Sequence, residues 1–403
     1  MSIGCKKIIL FLIVLISTNF FQFIPIYNSG IISYSKNILI VLLIGLFFYG
    51  SKRHQDYIYF RKEIILLMVL PFLSSITSKI YRGQSFIESF LATKATISWL
   101  LFFVLIRLKY TNKIVLSIIL KIAIIVAGIF ILQQIFYPSF YFFNDIGNDM
   151  KSVEIRNGFY RFRLFLIIPY VYIAFYYYID RYLMFKQKKT LLLALLFLIP
   201  IYLLMTRQIW FCIFIPLLYY VFIYGKQISF KRLLLISSLC VIIYLAYLNL
   251  DILIGKDLME RSAAENSEDN IRIIAMNFFG LEYWQDWFNI LLGNGCPYLG
   301  SKYGVFIEEL KHTNGLYMSD IGVVGVFSQY GILYLLVLFL LYIKTFRYFK
   351  YLSKYLKMLI IASLLNLPLA CWVSDSSIYM SIIYFLINKE ININKNKLLK
   401  IRQ

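Results

Sequence analysis

"EELKHTNGLYMSDIGVVGVFSQYGILYLLVLFLLY", residues 308–342, opens with two glutamates, a lysine and one of only two histidines in the chain. It then turns apolar, and from Ile321 to Ile343 it carries no charged residue. A helix of that length crosses the roughly 30 Å of hydrocarbon in a bilayer. His312 therefore stands at the edge of a membrane span. What it does there depends on which side of the membrane that edge faces.

The rest of the chain repeats the pattern. Of its 403 residues 61% are hydrophobic, against about 45–50% in a soluble globular domain. Long apolar runs bounded by charged turns recur from end to end, which predicts an all-α polytopic membrane protein with residues 1–403 as a single transmembrane domain. The basic, apolar N-terminal stretch reads as a first helix rather than a cleaved signal peptide. Cys5, Cys212, Cys240, Cys296 and Cys371 show no CxxC spacing, which argues against a disulfide framework or a cysteine metal site.

About twelve transmembrane helices are predicted, centred near residues 17, 42, 72, 98, 125, 171, 198, 216, 240, 329, 365 and 382. With both termini cytoplasmic, the inner segments are 1–7, 51–63, 107–113, 180–189, 225–232, 344–357 and 389–403. These hold 26 of the 41 Lys and Arg residues but only four of the 20 Asp and Glu residues. That bias has the sign of the positive-inside rule. It also accounts for the net charge of +21 without nucleic acid, because the excess sits in short turns beside anionic lipid headgroups.

On the outer side two long loops are expected, a smaller one over 137–162 and a large extracytoplasmic loop over 250–315. Within the large loop, "SEDNIRIIAMNFFGLEYWQDWFNILLGNG" predicts an amphipathic helix. Ser267 or Asn270 caps it, and Gly293 or Gly295 ends it. Ile271, Ile274, Phe278, Leu281, Trp284, Phe288 and Leu291 recur at helical spacing, and such a stripe suits the membrane interface. His312 closes this loop and so faces outward.

Arginine usage separates the two sides. Seven of 26 inner basic residues are Arg, against seven of 14 outer ones. Lysine satisfies topology equally well, whereas the arginine fork grips phosphate oxygens two at a time. Arg161 and Arg163 start a span in "YRFRLFLIIPY", Arg207 sits in the tight turn of "LLMTRQIWF", and Arg272 opens the predicted loop helix. All four, with His312, are expected at the outer surface, where the phosphates of a lipid carrier would lie. His54, in "SKRHQDY", reads as part of a solvated inner turn, and Gly322 and Gly325 as sites of close helix packing.

Four stretches in order, "RFRLFLIIPYVYIAF", "LLMTRQIWF", "NIRIIAMNFFGLEYWQDWFNILLGNG" and "KHTNGLYMSDIGVVGVFSQYG", resemble the O-antigen polymerase and O-antigen ligase superfamily over about residues 156–345. The bulky Gln208, Ile209 and Trp210 after Arg207, and the Thr-Asn-Gly after His312, depart from its usual pattern. The resemblance implies a membrane glycosyltransferase of the bacterial cytoplasmic membrane, making O-antigen or capsular polysaccharide. Undecaprenyl-diphosphate-linked oligosaccharide would be both donor and acceptor. Membrane lipids, a flippase and a chain-length regulator would be its partners.

In that reaction Arg161, Arg163, Arg207 and Arg272 would meet the charge of the leaving diphosphate, so neither a metal nor another cofactor is expected. His312 would take the proton of the acceptor hydroxyl, oriented by Glu308 four residues earlier. Two alternatives remain open on the sequence. A ligase of the same superfamily differs in its acceptor, and a lipid-linked sugar flippase would show internal repeats and charges at mid-membrane.

Overall fold

In a computed structural model of the chain, the described residues are 2–18, 29–50, 57–137, 153–156, 158–162, 167–204, 207–224, 271–368, 371 and 377–402. The first half contains α1 (Ile3–Ser17), α2 (Ser29–Tyr49), α3 (Arg61–Arg82), α4 (Phe86–Thr93), α5 (Leu100–Arg107) and α6 (Asn112–Phe136). After a hairpin of β1 (Val153–Arg156) and β2 (Phe159–Phe162) come α7 (Ile168–Phe185), α8 (Lys188–Leu203) and α9 (Arg207–Tyr224). The last part holds α10 (Ile271–Asn277), α11 (Trp287–Leu292), α12 (Lys302–Asn314), α13 (Gly322–Arg347), α14 (Lys354–Asn366) and α15 (Ser377–Arg402).

The chain is thus all-α apart from one two-stranded sheet among the described residues. Among the described residues four helical stretches, Arg61–Arg82, Phe86–Arg107, Asn112–Phe136 and Met318–Arg347, are long and apolar enough to cross a membrane. Helical segments occupy every predicted span centre except the one near 240, which lies outside the described residues. Local chemistry sets the boundaries. Thr111 caps α6 through the Ile114 N–H, and Ser85 with Glu88 forms a reciprocal capping box at α4. Gly83, at φ 67°, ends α3 in the left-handed conformation that glycine adopts without strain.

Two of the long stretches are discontinuous. Residues Lys94–Trp99 form a 3₁₀ turn between α4 and α5, and Gly331 breaks α13 with φ 75° and ψ −179°. Carbonyls freed by such breaks must be answered by other elements. The Ser377 hydroxyl donates to the Ala95 carbonyl at 3.3 Å, and the Ser381 hydroxyl to that of Ser98 at 3.5 Å.

The basic turns converge on one end of the bundle. Lys6 donates to the Lys109 carbonyl at 3.3 Å, and the Tyr110 hydroxyl donates to the Lys6 carbonyl at 2.8 Å. Arg107 donates to the Phe47 carbonyl at 2.6 Å, and Lys344 pairs with Glu63 at 2.7 Å. The Tyr59 N–H reaches the Asn388 side chain at 2.8 Å, and the Ser353 N–H reaches Glu390 at 2.7 Å. Burial pushes the Glu390 carboxyl upward, against the opposing effect of its Ser353 hydrogen bonds.

Hydrophobic packing separates into two bodies. The larger runs through the long helices, with Trp99, Phe102, Tyr334 and Tyr384 fully buried. The smaller consists of Ala275, Phe279, Tyr283, Tyr303, Ile307, Leu316, Met318 and Ile321, and is the core of a cap built by residues 271–321.

Candidate active site

The cap does not contain the single amphipathic helix predicted from the sequence. α10 passes into a π turn at Phe278–Glu282, and the helical path stops before Asp286. Asp286 then caps α11, its side chain accepting from the Asn289 N–H at 2.8 Å. The interruption has a packing cause. The buried face of this segment is Ala275, Phe279 and Tyr283, spaced four apart, rather than the predicted stripe. Ile271 and Ile274 remain exposed, as do Leu281 at 75% and Trp287 at 73%. The proposed caps Ser267 and Asn270 lie outside the described residues.

What fastens the cap is a wedge, Gly293-Asn294-Gly295, seated between α3 and the break in α13. The Asn294 N–H donates to the Ser328 carbonyl at 2.9 Å, and the Gly295 N–H to the Gln329 carbonyl at 2.8 Å. Glycine is required at Gly293, where φ is 86° and a Cβ would lie 2.3 Å from the Gln329 oxygen. On α3, Arg82 donates from Nε and Nη2 to the Asn294 side-chain oxygen at 2.9 and 2.6 Å, and from Nη2 to the Tyr283 carbonyl at 2.6 Å. Its guanidinium also lies 3.8 Å from the centre of the Tyr283 ring. Burial raises the Tyr283 hydroxyl to about 12, with the Arg82 charge pulling the other way. The Tyr81 hydroxyl donates to Asp286, and that bond, with the Asn289 N–H, holds the Asp286 carboxyl below its ordinary range.

His312 and Glu308 lie on α12, a helix separate from the span they precede. Gly315, at φ 67°, terminates α12, and a short 3₁₀ turn follows before Gly322 opens α13. The membrane helix therefore does not extend back to them, although the four-residue spacing survives within α12. His312 Nε2 stands 3.4 Å from Glu308 Oε2, and Lys311 reaches the same oxygen at 3.1 Å. The histidine is exposed, 54% of its side chain being accessible.

Arg272 comes to the same corner, because the Ile271 side chain packs 3.3 Å from where a Gly315 Cβ would stand. The first turn of α10 thus meets the chain just past the end of α12, and Arg272 is exposed.

Arg161 stands apart from that corner. Arg161 is 6% exposed on β2, opposite Glu154 in the register, and its Nε donates to the Leu204 carbonyl at 2.7 Å. That carbonyl belongs to the C-cap of α8, three residues before Arg207 opens α9. Arg163, like the Arg207 side chain, lies outside the described residues.

Two features are not foreseen by the sequence pattern. Over residues 153–162 the expected loop is a hairpin, and Asn157-Gly158 is its sequence signal, with Gly158 at φ 77°. Gln134 holds the hairpin, accepting from the Tyr160 N–H at 3.1 Å and donating to its carbonyl. Arg82 is one of the outer arginines, but nothing local marks it as the clasp of the cap. Gly322 and Gly325 do serve close packing. A Cβ on Gly322 would lie 2.3 Å from the Leu367 carbonyl, and one on Gly325 2.2 Å from that of Met318.

Among the described residues no three His, Cys, Asp or Glu side chains gather as a metal site. No protein-family model matches the chain, and neither a curated protein nor a solved structure does.

Proposed function

We propose that this chain is a membrane glycosyltransferase that polymerises undecaprenyl-diphosphate-linked oligosaccharides at the outer face of a bacterial cytoplasmic membrane. About twelve spans and two cytoplasmic termini belong to the same reading, with the basic end of the bundle inside and the cap outside. The observation that supports it best is the contact of Ile271 with Gly315, because it sets the start of α10, which carries Arg272, against the turn that follows His312 and Glu308. Cation, base and orienting carboxylate then share one exposed edge of the cap.

The acceptor hydroxyl oxygen attacks the anomeric carbon of the donor as the bond from that carbon to the diphosphate breaks. The leaving diphosphate keeps the electron pair, and Arg272 meets its charge with hydrogen bonds shaped for phosphate. Arg161, Arg163 and Arg207 serve the same anion or its lipid neighbours. The hydroxyl proton passes to His312. With Nε2–H directed at Glu308, Nδ1 is the nitrogen that receives it.

The discontinuities at 94–99 and Gly331 favour a second reading, because broken helices also build the substrate sites of transporters. On that reading the chain is a flippase for the same lipid-linked sugars. Purified protein given lipid-linked repeat units in vesicles decides the matter. Longer glycans on the lipid are expected, movement between leaflets without lengthening supports the flippase, and transfer only to a different acceptor supports a ligase.

A further inference from the structure

Towards the cap, α3 is built inside out. It buries Ser74, Thr77 and Ser78, and it exposes Leu66, Val69, Leu73, Ile76 and Ile80. The exposed set steps by three and four residues, so it forms one continuous face. The hydroxyls turn towards the wedge instead. Thr77 donates to the Gly293 carbonyl, and a Cβ on Gly295 would lie 2.7 Å from that of Ser78. Water would favour the reverse pattern, so the outer face of α3 meets hydrocarbon.

That face ends at a definite height. Counted from Arg61 at the basic end, Ile80 is nineteen residues on, a rise of about 29 Å at 1.5 Å per residue. The hydrocarbon layer is roughly 30 Å thick, so Ile80 stands where acyl chains give way to headgroups. The chain turns at Gly83, and Phe86 and Ile87, both exposed, open α4. The Phe72 and Phe90 ring centres are 5.5 Å apart, so α4 returns along α3. Lys79, also exposed, has its ammonium 4.8 Å from the Phe86 ring centre.

The cap meets this turn at two points, each with a large apolar side chain next in the chain. The Tyr81 hydroxyl donates to Asp286, and the following residue, Trp287, opens α11 with its indole exposed. The Tyr298 N–H and the Ser301 hydroxyl both donate to the Gln84 side-chain oxygen, at 2.9 and 2.8 Å. Between them stands Leu299, exposed. Neither Trp287 nor Leu299 belongs to the core of the cap, and the reaction above uses neither.

Apolar exposure concentrated in this way marks a surface that something else covers. The lipid-facing side of α3 runs directly into it, and tryptophan beside lysine suits headgroup depth. We propose that Ile80, Phe86, Ile87, Trp287 and Leu299 form a rim that seats the cap in the interfacial layer of the bilayer, with Lys79 against lipid phosphates. The cap is then half sunk in lipid at this edge rather than standing clear in water. Only the crossing of a membrane by α3 is needed for this, not the polymerase reaction.

Tryptophan quenching in the full-length protein tests it, in phosphatidylcholine vesicles with or without bromine in the upper acyl chains. The signal of Trp287 is the difference between the parent and Trp287→Phe. Brominated lipid should quench that difference by half or more, and aqueous iodide should quench it weakly. Adding Leu299→Trp to Trp287→Phe gives a second reading, and the new indole should behave in the same way.

Iodide quenching without bromine quenching would leave the rim in water and overturn the proposal. Quenching by neither would also overturn it. Dependence on protein concentration would then assign the rim to a second copy of the chain, and independence to other parts of the same chain. A bromine-quenched Trp287 with a water-exposed indole at position 299 would break the rim into a lone contact. Both positions are exposed, so the two variants should melt as the parent does. A drop of several degrees would show that protein rather than lipid covers them.

Discussion

α3 and α13 pack along each other and are fastened at both ends by different means. At the basic end the tie is a charge pair, Lys344 to Glu63 at 2.7 Å. Around it Lys395 lies 4.8 Å from the Tyr59 ring centre and 4.9 Å from that of Tyr348. At the cap end the tie is backbone against backbone, the Gly293-Asn294-Gly295 wedge against Ser328 and Gln329. Long side chains tolerate adjustment, whereas two backbones in contact leave no room for a Cβ. The first arrangement suits a face that orients helices, and the second suits a platform holding reacting groups at a fixed height.

The comparison fails outright if the two ends do not face opposite sides. A reporter fused after residue 280 should be active only outside the cytoplasm, and one fused after residue 350 only inside. Equal activity for the two fusions would remove both the site and its membrane depth.

Within the cap end the wedge should tolerate nothing. Gly293→Ala places a methyl 2.3 Å from the Gln329 oxygen at φ 86° and should cost about 3 kcal/mol or more, seen as lost monodisperse protein or a collapsed melting temperature. Gly128→Ala is the control. It lies in α6 with nothing within 4 Å of the added methyl and should gain roughly 0.5–1 kcal/mol. Similar behaviour of the two variants would show that the wedge is not the constraint described.

The His312 corner is tested by rate rather than by stability, since the side chain is exposed. His312→Ala should lose on the order of 10²–10⁴-fold in transfer with donor binding retained. Glu308→Gln should cost less than about tenfold, because an exposed pair contributes up to about 1 kcal/mol and Lys311 competes for the same oxygen. A His312→Ala protein that lengthens chains at the parental rate ends the base assignment. Arg272→Lys extends the test, since it keeps the charge but loses the fork, and full activity would reduce that arginine to a headgroup contact.

The sequence made the helices legible because each apolar run is bounded by its own charges and caps, as at Thr111 and at Ser85 with Glu88. It made the helix breaks illegible, because Gly331 sits in a long run without charged residues and only the wedge explains its backbone. The stripe from Ile271 to Leu291 misled for a related reason. Several of its residues stay exposed, and the packed face is set by Tyr283 meeting Arg82 across about two hundred residues of chain. Of the candidate site, the four-residue spacing of Glu308 and His312 could be read directly. The approach of Arg272 to them depends on the Ile271–Gly315 contact, and local pattern does not encode it.

Arg82 offers a graded test of the clasp. Arg82→Lys keeps a cation but loses the fork that holds the Asn294 and Tyr283 oxygens together, at about 1–3 kcal/mol. Paired with Asn294→Ala in a double-mutant cycle, the losses should fall short of additive, because both remove the same bonds. Strict additivity would mean that the arginine acts through Tyr283, by its carbonyl and ring, rather than through Asn294.

The smallest expected effect is a pH dependence at the neighbouring bond. Asp286 accepts from the Tyr81 hydroxyl and the Asn289 N–H, and both interactions hold its carboxyl below the ordinary range. A depressed folded value means that the unfolded state binds the proton more readily. The stabilisation is therefore complete above the unfolded value, near pH 4, and is lost as pH falls through the lower folded value. Melting temperature measured between pH 6 and pH 3 should fall more steeply for the parent than for Asp286→Asn. Tyr81→Phe should remove part of the difference, because Asn289 still donates to the carboxylate. Parallel curves for parent and Asp286→Asn would show that this carboxylate does not help hold the start of α11 against α3, leaving Arg82 and the wedge to carry the cap.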